Sequence, residues 1–176
     1  MANLKDLKTR INSVKSTQKI TSAMKMVAAA KLRRAQESAE ANRPYSSRMQ
    51  QVISGLASKA IKATAPELLI GREIVKTHLL IVVSADKGLC GGFNGSIARQ
   101  TRLEIKRLEE DGKSVLLYMI GKKAADNLGR EIRDKIFGRV ENLQGSNLDY
   151  NKVDTVSQEI LTGFNDTRFD RVSIIY

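Results

Sequence analysis

A glycine-rich stretch at residues 84–95 is the part of the sequence whose composition is closest to that of a ligand-binding loop. Glycine-rich turns between the first strand and the first helix of an α/β sheet often hold phosphate groups. The glycine spacing here matches neither a dinucleotide-binding motif nor a P-loop, and no acidic residue ends the next strand to hold a ribose. We therefore expect a structural turn at Gly88, Cys90, Gly91 and Gly92, in which glycines allow close packing of helix on strand. If the turn did hold a phosphate, the chain would be a nucleotide-binding α/β module with a basic arm, and this is the alternative function.

The other reactive side chains do not form a catalytic or metal-binding set. Cys90 is the only cysteine, so no cysteine metal site or internal disulfide is possible, and we expect it to be a small buried residue. His78 is the only histidine and precedes five apolar residues, a position that favours packing over proton transfer. Glu109, Glu110 and Asp111 fall at a predicted helix end, where carboxylates are usually solvated. The sequence thus predicts no catalytic residue, no metal and no cofactor.

The elements around this turn predict a compact domain at residues 71–176. Predicted strands alternate with predicted helices, and the strand before the turn is apolar throughout, as in a parallel sheet buried on both faces. The predicted strands are 74–83, 115–120, 132–137 and 172–176, and the predicted helices are 96–110, 122–128 and 153–164. This alternation predicts a small Rossmann-like α/β domain with a mainly parallel sheet. The chain then stops on an apolar strand, which we interpret as the sign of a fragment of a longer protein.

The first sixty or so residues are predicted to form one helix that is far too long for that domain. Counted in heptads from Leu4, twelve of the seventeen a and d positions up to Ala60 are apolar, as in a coiled-coil seam. The main seam residues are Leu4, Leu7, Ile11, Val14, Leu32, Ile53 and Leu56. At about 1.5 Å per residue such a helix spans roughly 90 Å. The seam therefore requires a partner, and we assign residues 1–65 to a long N-terminal coiled-coil helix.

Local signals place the ends of this helix. Asn3 is a suitable N-cap, and Asp6 lies in the first turn, where the helix dipole favours an acid. Pro44 normally kinks or breaks a helix, but the seam resumes in the same frame after it, so we expect the helix to continue through a bend. We expect the helix to run to about Lys62 and to end before Pro66.

Two features interrupt the seam. Gln18, Thr21 and Lys25 occupy three successive seam positions, which weakens self-packing. Residues 24–31 beside them carry apolar groups all around the helix and favour burial on every side. This segment is either a helix end buried in a host protein or a shaft turning in a close-fitting apolar bearing. The sequence pattern leaves both interpretations open.

The positive charge of the chain is concentrated on the long helix. Residues 1–62 hold thirteen Lys and Arg against three acidic residues, whereas residues 63–176 hold seventeen against sixteen. This asymmetry predicts an acidic partner surface, which could be protein, nucleic acid or anionic lipid. The helix carries Tyr45 as its single aromatic residue, so it offers neither a base-stacking platform nor the Trp and Phe anchors of a membrane-surface helix. No apolar run is long enough to span a membrane.

Three stretches together carry a family resemblance. Residues 4–32, Arg43-Pro44-Tyr45 and residues 84–94 closely resemble, in this order, the gamma subunit of F-type ATP synthases. The resemblance implies a non-catalytic central rotor shaft that couples proton flow to ATP synthesis or hydrolysis. In the family a C-terminal helix returns along the first one, and this chain lacks it, which agrees with the interpretation as a fragment.

The resemblance also implies partners and contact residues. The expected partners are the alpha and beta subunits, the epsilon subunit and the membrane c-ring, without nucleic acid or direct membrane insertion. The α/β domain at 71–176 would be the foot on the c-ring, at the cytoplasmic face of the bacterial inner membrane. The residues expected to face the acidic lower loop of the beta subunit are Lys19, Met24, Lys25, Val27, Lys31, Arg33 and Arg34.

Overall fold

A computed structural model describes residues 3–61, 64–143 and 150–176, except for the side chain of Glu131. The chain divides into two compact units, one up to Thr64 and one from Ala65 onward. Among the described residues, no helix combines the length and the apolar character needed to cross a membrane.

The first unit contains one helix, α1, which runs from Leu4 to Lys59. Its start is as predicted, because the Asn3 side chain accepts a hydrogen bond from the Lys5 N–H at 3.2 Å, and Asp6 lies in the first turn. The helix is continuous through Pro44. It ends earlier than predicted, since Ala60 is extended and donates its N–H back to the Ala57 carbonyl. Lys62, the predicted last residue of the helix, lies outside the described residues.

The second unit is built on a four-stranded sheet in which every neighbouring pair of strands is parallel. The strands are β1 (Thr77–Val83), β2 (Ser114–Ile120), β3 (Ile136–Val140) and β4 (Arg171–Ile175), in the order β3-β2-β1-β4. The helices are α2 (Glu67–Ile70), α3 (Phe93–Glu110), α4 (Lys122–Leu128) and α5 (Tyr150–Asn165), and Gly129–Lys135 is a 3₁₀ helix. This confirms the predicted α/β class and the parallel sheet.

Two predicted strand boundaries are wrong. β1 begins at Thr77 rather than at Ile74, because the Asp170 carboxylate accepts the N–H groups of Lys76 and Thr77 at 2.8 and 2.9 Å. The strand predicted from Ile132 begins only at Ile136. Ile132 instead points from the 3₁₀ helix into the core and is 4% exposed.

Helices cover both faces of the sheet, which explains the uninterrupted apolar run of β1. Leu80 and Val82 pack in the core cluster that contains buried residues of α3 and α4. Leu79 and Ile81 pack in the other cluster, with Phe164 of α5. Because successive side chains of a strand point to opposite faces, both sets must be apolar when both faces are buried.

His78 lies buried in β1 with one ring nitrogen unpaired. It is 4% exposed, its Nε2 lies 2.9 Å from Oγ of Ser173 on β4, and Nδ1 has no partner in the described part of the chain. Burial lowers the pKa of His78, the charges of Arg171, Lys113 and Arg107 act in the same direction, and Glu104 opposes them. His78 is therefore neutral in the folded protein, because protonation would place a buried N–H at Nδ1 without an acceptor.

We expect the free energy of unfolding of this chain to fall as the pH drops below about 6.5. The unfolded histidine takes up a proton there and the folded one does not, so acid favours the unfolded state. Urea unfolding between pH 7.5 and 5 measures this loss. His78→Gln replaces the ring by an amide that can still donate a hydrogen bond but does not titrate, so it should flatten the pH dependence. An equal slope in the two proteins would contradict the assignment.

Candidate partner-binding surface

The long helix exposes its apolar seam along its whole length. None of the residues that the structure describes in α1 is buried. All seven predicted seam residues are exposed, from 46% for Leu7 to 83% for Leu4. Full burial of one large apolar side chain contributes about 1.5–3 kcal/mol to the stability of the folded or bound state. The seam is thus an exposed, mostly apolar surface that gains most of its stability only when a partner covers it.

The polar interruption of the seam is smaller than the sequence indicates. The hydroxyl of Thr21 donates to the carbonyl of Thr17 at 2.9 Å and lies 3.0 Å from that of Gln18. Its hydrogen-bonding capacity is used within the helix, so Thr21 can present its methyl group to a partner. Gln18 and Lys25 remain the polar side chains of this interruption. Threonine in a helix commonly donates its hydroxyl hydrogen to a carbonyl of the preceding turn. This hydrogen bond could therefore have been predicted from the sequence.

The predicted partner-binding residues lie at 19–34 of α1, a segment that we name the basic collar. All seven are exposed: Lys19, Met24, Lys25, Val27, Lys31, Arg33 and Arg34. Within residues 3–61, the lysines and Arg34 form no ion pair, whereas Arg33 Nε contacts Glu37 Oε1 at 2.9 Å. Both partners of that pair are exposed, so it contributes less than about 1 kcal/mol and can be exchanged.

The collar residues do not converge on one face of the helix. They occupy heptad positions a, b, c and g, and Lys19 and Arg34 are roughly 22 Å apart along the axis at 1.5 Å per residue. A flat partner surface could contact only some of them. The arrangement favours a partner that surrounds α1, or several partners placed around it.

The turn at 84–95 is braced from inside by Asn94. This side chain is 7% exposed, its Oδ1 accepts the N–H of Ala85 at 3.0 Å, and its Nδ2 donates to Sγ of Cys90 at 3.0 Å and to the Lys87 carbonyl at 3.5 Å. We did not predict this role of Asn94 from the sequence. Its position in the first turn of a helix was the available signal, because Asn there commonly bonds to nearby backbone.

The expectation of close packing at the glycines of this turn is wrong. A Cβ added to Gly88 or Gly91 would meet no atom within 4 Å, and one on Gly92 would meet only Ser96 Oγ at 4.0 Å. Gly91 is favoured instead by its positive φ of +59°. Cys90 is exposed, not buried as expected, and its Sγ accepts a hydrogen bond from the Asn94 side-chain amide at 3.0 Å.

The close approach in this region occurs at Gly121, which follows β2. Its φ is +88°, and an added Cβ would lie 2.1 Å from the Ser84 carbonyl oxygen. Ser84 also accepts the Ala124 N–H on its Oγ at 3.1 Å, and the Lys123 N–H donates to Ala85 at 3.0 Å. The turn after β1 therefore holds the start of α4.

In the described part of the chain, the residues considered for catalysis do not come together: His78 lies inside β1 and Cys90 in the turn after it. Among the described residues, no group of three or more His, Cys, Asp and Glu could hold a metal ion. A shallow groove lies between α3 and the 3₁₀ helix, away from the turn, and is lined by Arg102, Ile105, Lys106, Glu109, Ile132 and Lys135. The polar groups of the turn bond to one another, which favours a structural role for it.

Comparison with protein families gives one consistent match. The family model described as ATP synthase matches residues 3–176. The chain is 47% identical over 177 residues to the ATP synthase gamma chain of Acidiphilium cryptum and 49% identical over 177 residues to that of Rhodospirillum rubrum. These alignments cover 100% of this chain and 60% and 59% of the relatives. The chain thus spans about 60% of the length of the curated relatives it matches.

Two solved structures share the fold. The central stalk and c-ring structure of Tetrahymena thermophila mitochondrial ATP synthase matches with a TM-score of 0.63 and 28% identity, over 89% of this chain and 64% of that chain. The rotor of Euglena gracilis mitochondrial ATP synthase matches with a TM-score of 0.54 and 19% identity, over 98% of this chain and 56% of that chain. The second likeness shows the fold alone.

Proposed function

Because the chain belongs to the ATP synthase gamma-chain family, we propose that it acts as the central-stalk rotor subunit of an F-type ATP synthase. It does not catalyse a reaction itself but couples proton flow through the membrane ring to ATP synthesis or hydrolysis. The observation that carries the proposal is α1, a continuous helix of 56 residues without a buried side chain among its described residues. A helix of this kind is suited to a role within an assembly.

We propose that the long helix and the α/β domain have different roles in the rotor. Residues 1–65 supply one half of an antiparallel coiled-coil shaft, whose exposed seam receives the second helix. Residues 71–176 form the foot, whose sheet is packed on both faces by apolar clusters. Rotation of the foot then turns the shaft, and the asymmetry of the shaft imposes different nucleotide affinities on the three beta subunits.

The basic collar is the proposed contact with the catalytic ring. Its exposed cations suit the acidic lower loop of the beta subunit, and their distribution around α1 suits a ring that encloses the shaft. Exposed charges of this kind steer encounter and fix register more than they add affinity. Met24 and Val27 are 52% and 57% exposed and offer apolar contact between the cations.

The remaining proposed partners are the epsilon subunit and the c-ring, both contacted by the foot. The Tetrahymena match supports this placement, since that structure comprises central stalk and c-ring. We propose a peripheral location at the cytoplasmic face of the bacterial inner membrane.

Affinity purification of the protein from its own cells tests the function. The rotor proposal predicts co-purification of alpha and beta subunits, each in threefold molar excess. A protein that is recovered alone as a monomer, with α1 fully helical, would contradict it. A calorimetric titration with ATP and NAD separates the alternative, because a nucleotide-binding module would give heat of binding without the other subunits.

A further inference from the structure

The groove between α3 and the 3₁₀ helix, which we name the α3 groove, combines an apolar floor with charged walls. Ile105 and Ile132 are 7% and 4% exposed and form the floor. The charged lining residues are Arg102, Lys106, Lys135 and Glu109. The groove has a volume of about 300 Å³, which is at the lower end of the range for ligand-binding pockets. It therefore has room for a few side chains of a partner rather than for a large cofactor.

Two contacts hold the walls of the α3 groove in place. The carboxylate of Glu109 on α3 pairs with Nζ of Lys135, the last residue of the 3₁₀ helix. Nη2 of Arg102 donates to the carbonyl of Asn127, in the last turn of α4, at 2.7 Å. Both contacts connect α3 to a neighbouring element of the same domain. The groove is therefore formed before a partner arrives, which lowers the entropic cost of binding.

The cations of the groove can still pair with the carboxylates of a partner. Arg102 forms no ion pair within residues 64–143 and 150–176, and its bond to Asn127 uses one of the five N–H donors of a guanidinium. Nζ of Lys106 lies 3.7 Å from Oε1 of Glu110, and both side chains are exposed, so this pair is weak and can be exchanged. Three cations and one carboxylate give the lining a net charge of +2, which complements an acidic partner.

We propose that the α3 groove docks an acidic segment of another protein, in which carboxylates flank at least one apolar side chain. The carboxylates pair with Arg102 and Lys106, and the apolar side chain covers Ile105 and Ile132. The two cations are one turn apart, about 6 Å along α3 at 1.5 Å per residue. Carboxylates two residues apart in an extended segment match this spacing. The lining described for the groove contains no aromatic residue on which a nucleic-acid base could stack.

A synthetic probe tests the charge and the apolar contact separately. The probe is a blocked heptapeptide with leucine at its centre and three glutamates on each side. One analogue carries serine in place of the leucine, and a second carries glutamine in place of every glutamate. The probe is titrated into the isotope-labelled full chain, and the NMR shifts of the backbone amides report binding at each part of it. The basic collar of α1 should also attract the probe and serves as the internal reference for attraction by charge alone.

We expect the probe to shift the amides of residues 102–109 and 132–135 in a saturable way. The serine analogue should bind the α3 groove at least threefold more weakly, because it cannot cover the apolar floor. The glutamine analogue should bind neither the groove nor the collar. A parent chain whose groove amides do not respond to the probe, or respond equally to all three peptides, would overturn the proposal.

Lys106→Glu is the decisive variant, because the side chain of Lys106 is 76% exposed and its replacement leaves the packing of the domain intact. It should weaken probe binding at the groove at least tenfold and leave binding at the collar unchanged. Lys152→Glu is the matched control, since it makes the same charge change at an exposed position of α5, on the other face of the sheet. Glu109→Gln removes the carboxylate of the lining and should strengthen binding at least twofold.

The control variant and a lipid surface provide the contrary outcomes. If Lys152→Glu weakened binding at the groove as much as Lys106→Glu does, the probe would respond to the overall charge of the domain, and the groove would lose its assigned role. Vesicles of phosphatidylglycerol are titrated in the same way. Shifts at the groove amides that are caused by these vesicles and not by the probe would assign the groove to a membrane surface and overturn the proposal.

Discussion

Replacement of Gly121 by alanine should unfold the α/β domain at room temperature or bring it close to unfolding. The new Cβ would lie 2.1 Å from the Ser84 carbonyl oxygen and 2.8 Å from its carbon, and both atoms belong to backbone that also holds α4. The φ of +88° adds strain that a side chain rarely tolerates. We expect a loss of about 4 kcal/mol or more in the free energy of unfolding, measured by urea or thermal denaturation.

Gly129→Ala is the matched control for this clash. Gly129 also has a positive φ, +75°, but an added Cβ there meets no atom within 4 Å. It should cost only about 1–3 kcal/mol, the conformational term alone. Equal losses in the two variants would mean that the backbone around Ser84 moves aside and that the close approach is unimportant.

Replacement of Ile11 by aspartate should prevent the protein from entering the proposed ATP synthase complex. Ile11 is 53% exposed in the chain and lies in the part of the seam that is apolar without interruption, from Leu4 to Val14. Covering the seam would bury an unpaired carboxylate, which costs several kcal/mol. Since about 1.4 kcal/mol changes an equilibrium tenfold, recovery of alpha and beta subunits with the protein should fall more than tenfold.

Ser16→Asp introduces the same charge on the opposite side of α1. Ser16 occupies heptad position f, away from the a and d residues, and is exposed. Its variant should assemble like the parent. If both aspartates impaired assembly equally, the effect would arise from the reduced positive charge of the helix, and the seam would lose its assigned role.

The sequence was sufficient for the features that depend on local periodicity. Heptad spacing predicts α1 and its seam, and the alternation of apolar strands with amphipathic helices predicts the parallel sheet. Asn3, Asp6 and Gly129 mark helix ends by their intrinsic conformational preferences. Each of these signals acts within a few residues, so a single sequence contains it completely.

The errors arise where distant residues decide the local conformation. The apolar pattern predicts that Ile74 belongs to a strand. The carboxylate of Asp170, more than ninety residues later, instead accepts the N–H groups at which β1 starts. We expected close backbone packing at the glycines after β1. It occurs instead at Gly121, which the fold places next to the backbone of Ser84. Spacing alone cannot show such contacts, because they depend on which strands become neighbours.

The residues that flank the exposed seam disfavour pairing of α1 with a second copy of itself. The heptad positions e and g flank a coiled-coil seam and set the choice of partner. In α1 the charged residues at these positions are all basic: Lys8, Arg10, Lys15, Lys31, Arg43 and Lys59. Two copies of α1 laid seam to seam would place these basic residues, without any acidic one, at the edges of their interface. Mutual repulsion therefore discourages homodimers and keeps the seam available for a different, complementary helix.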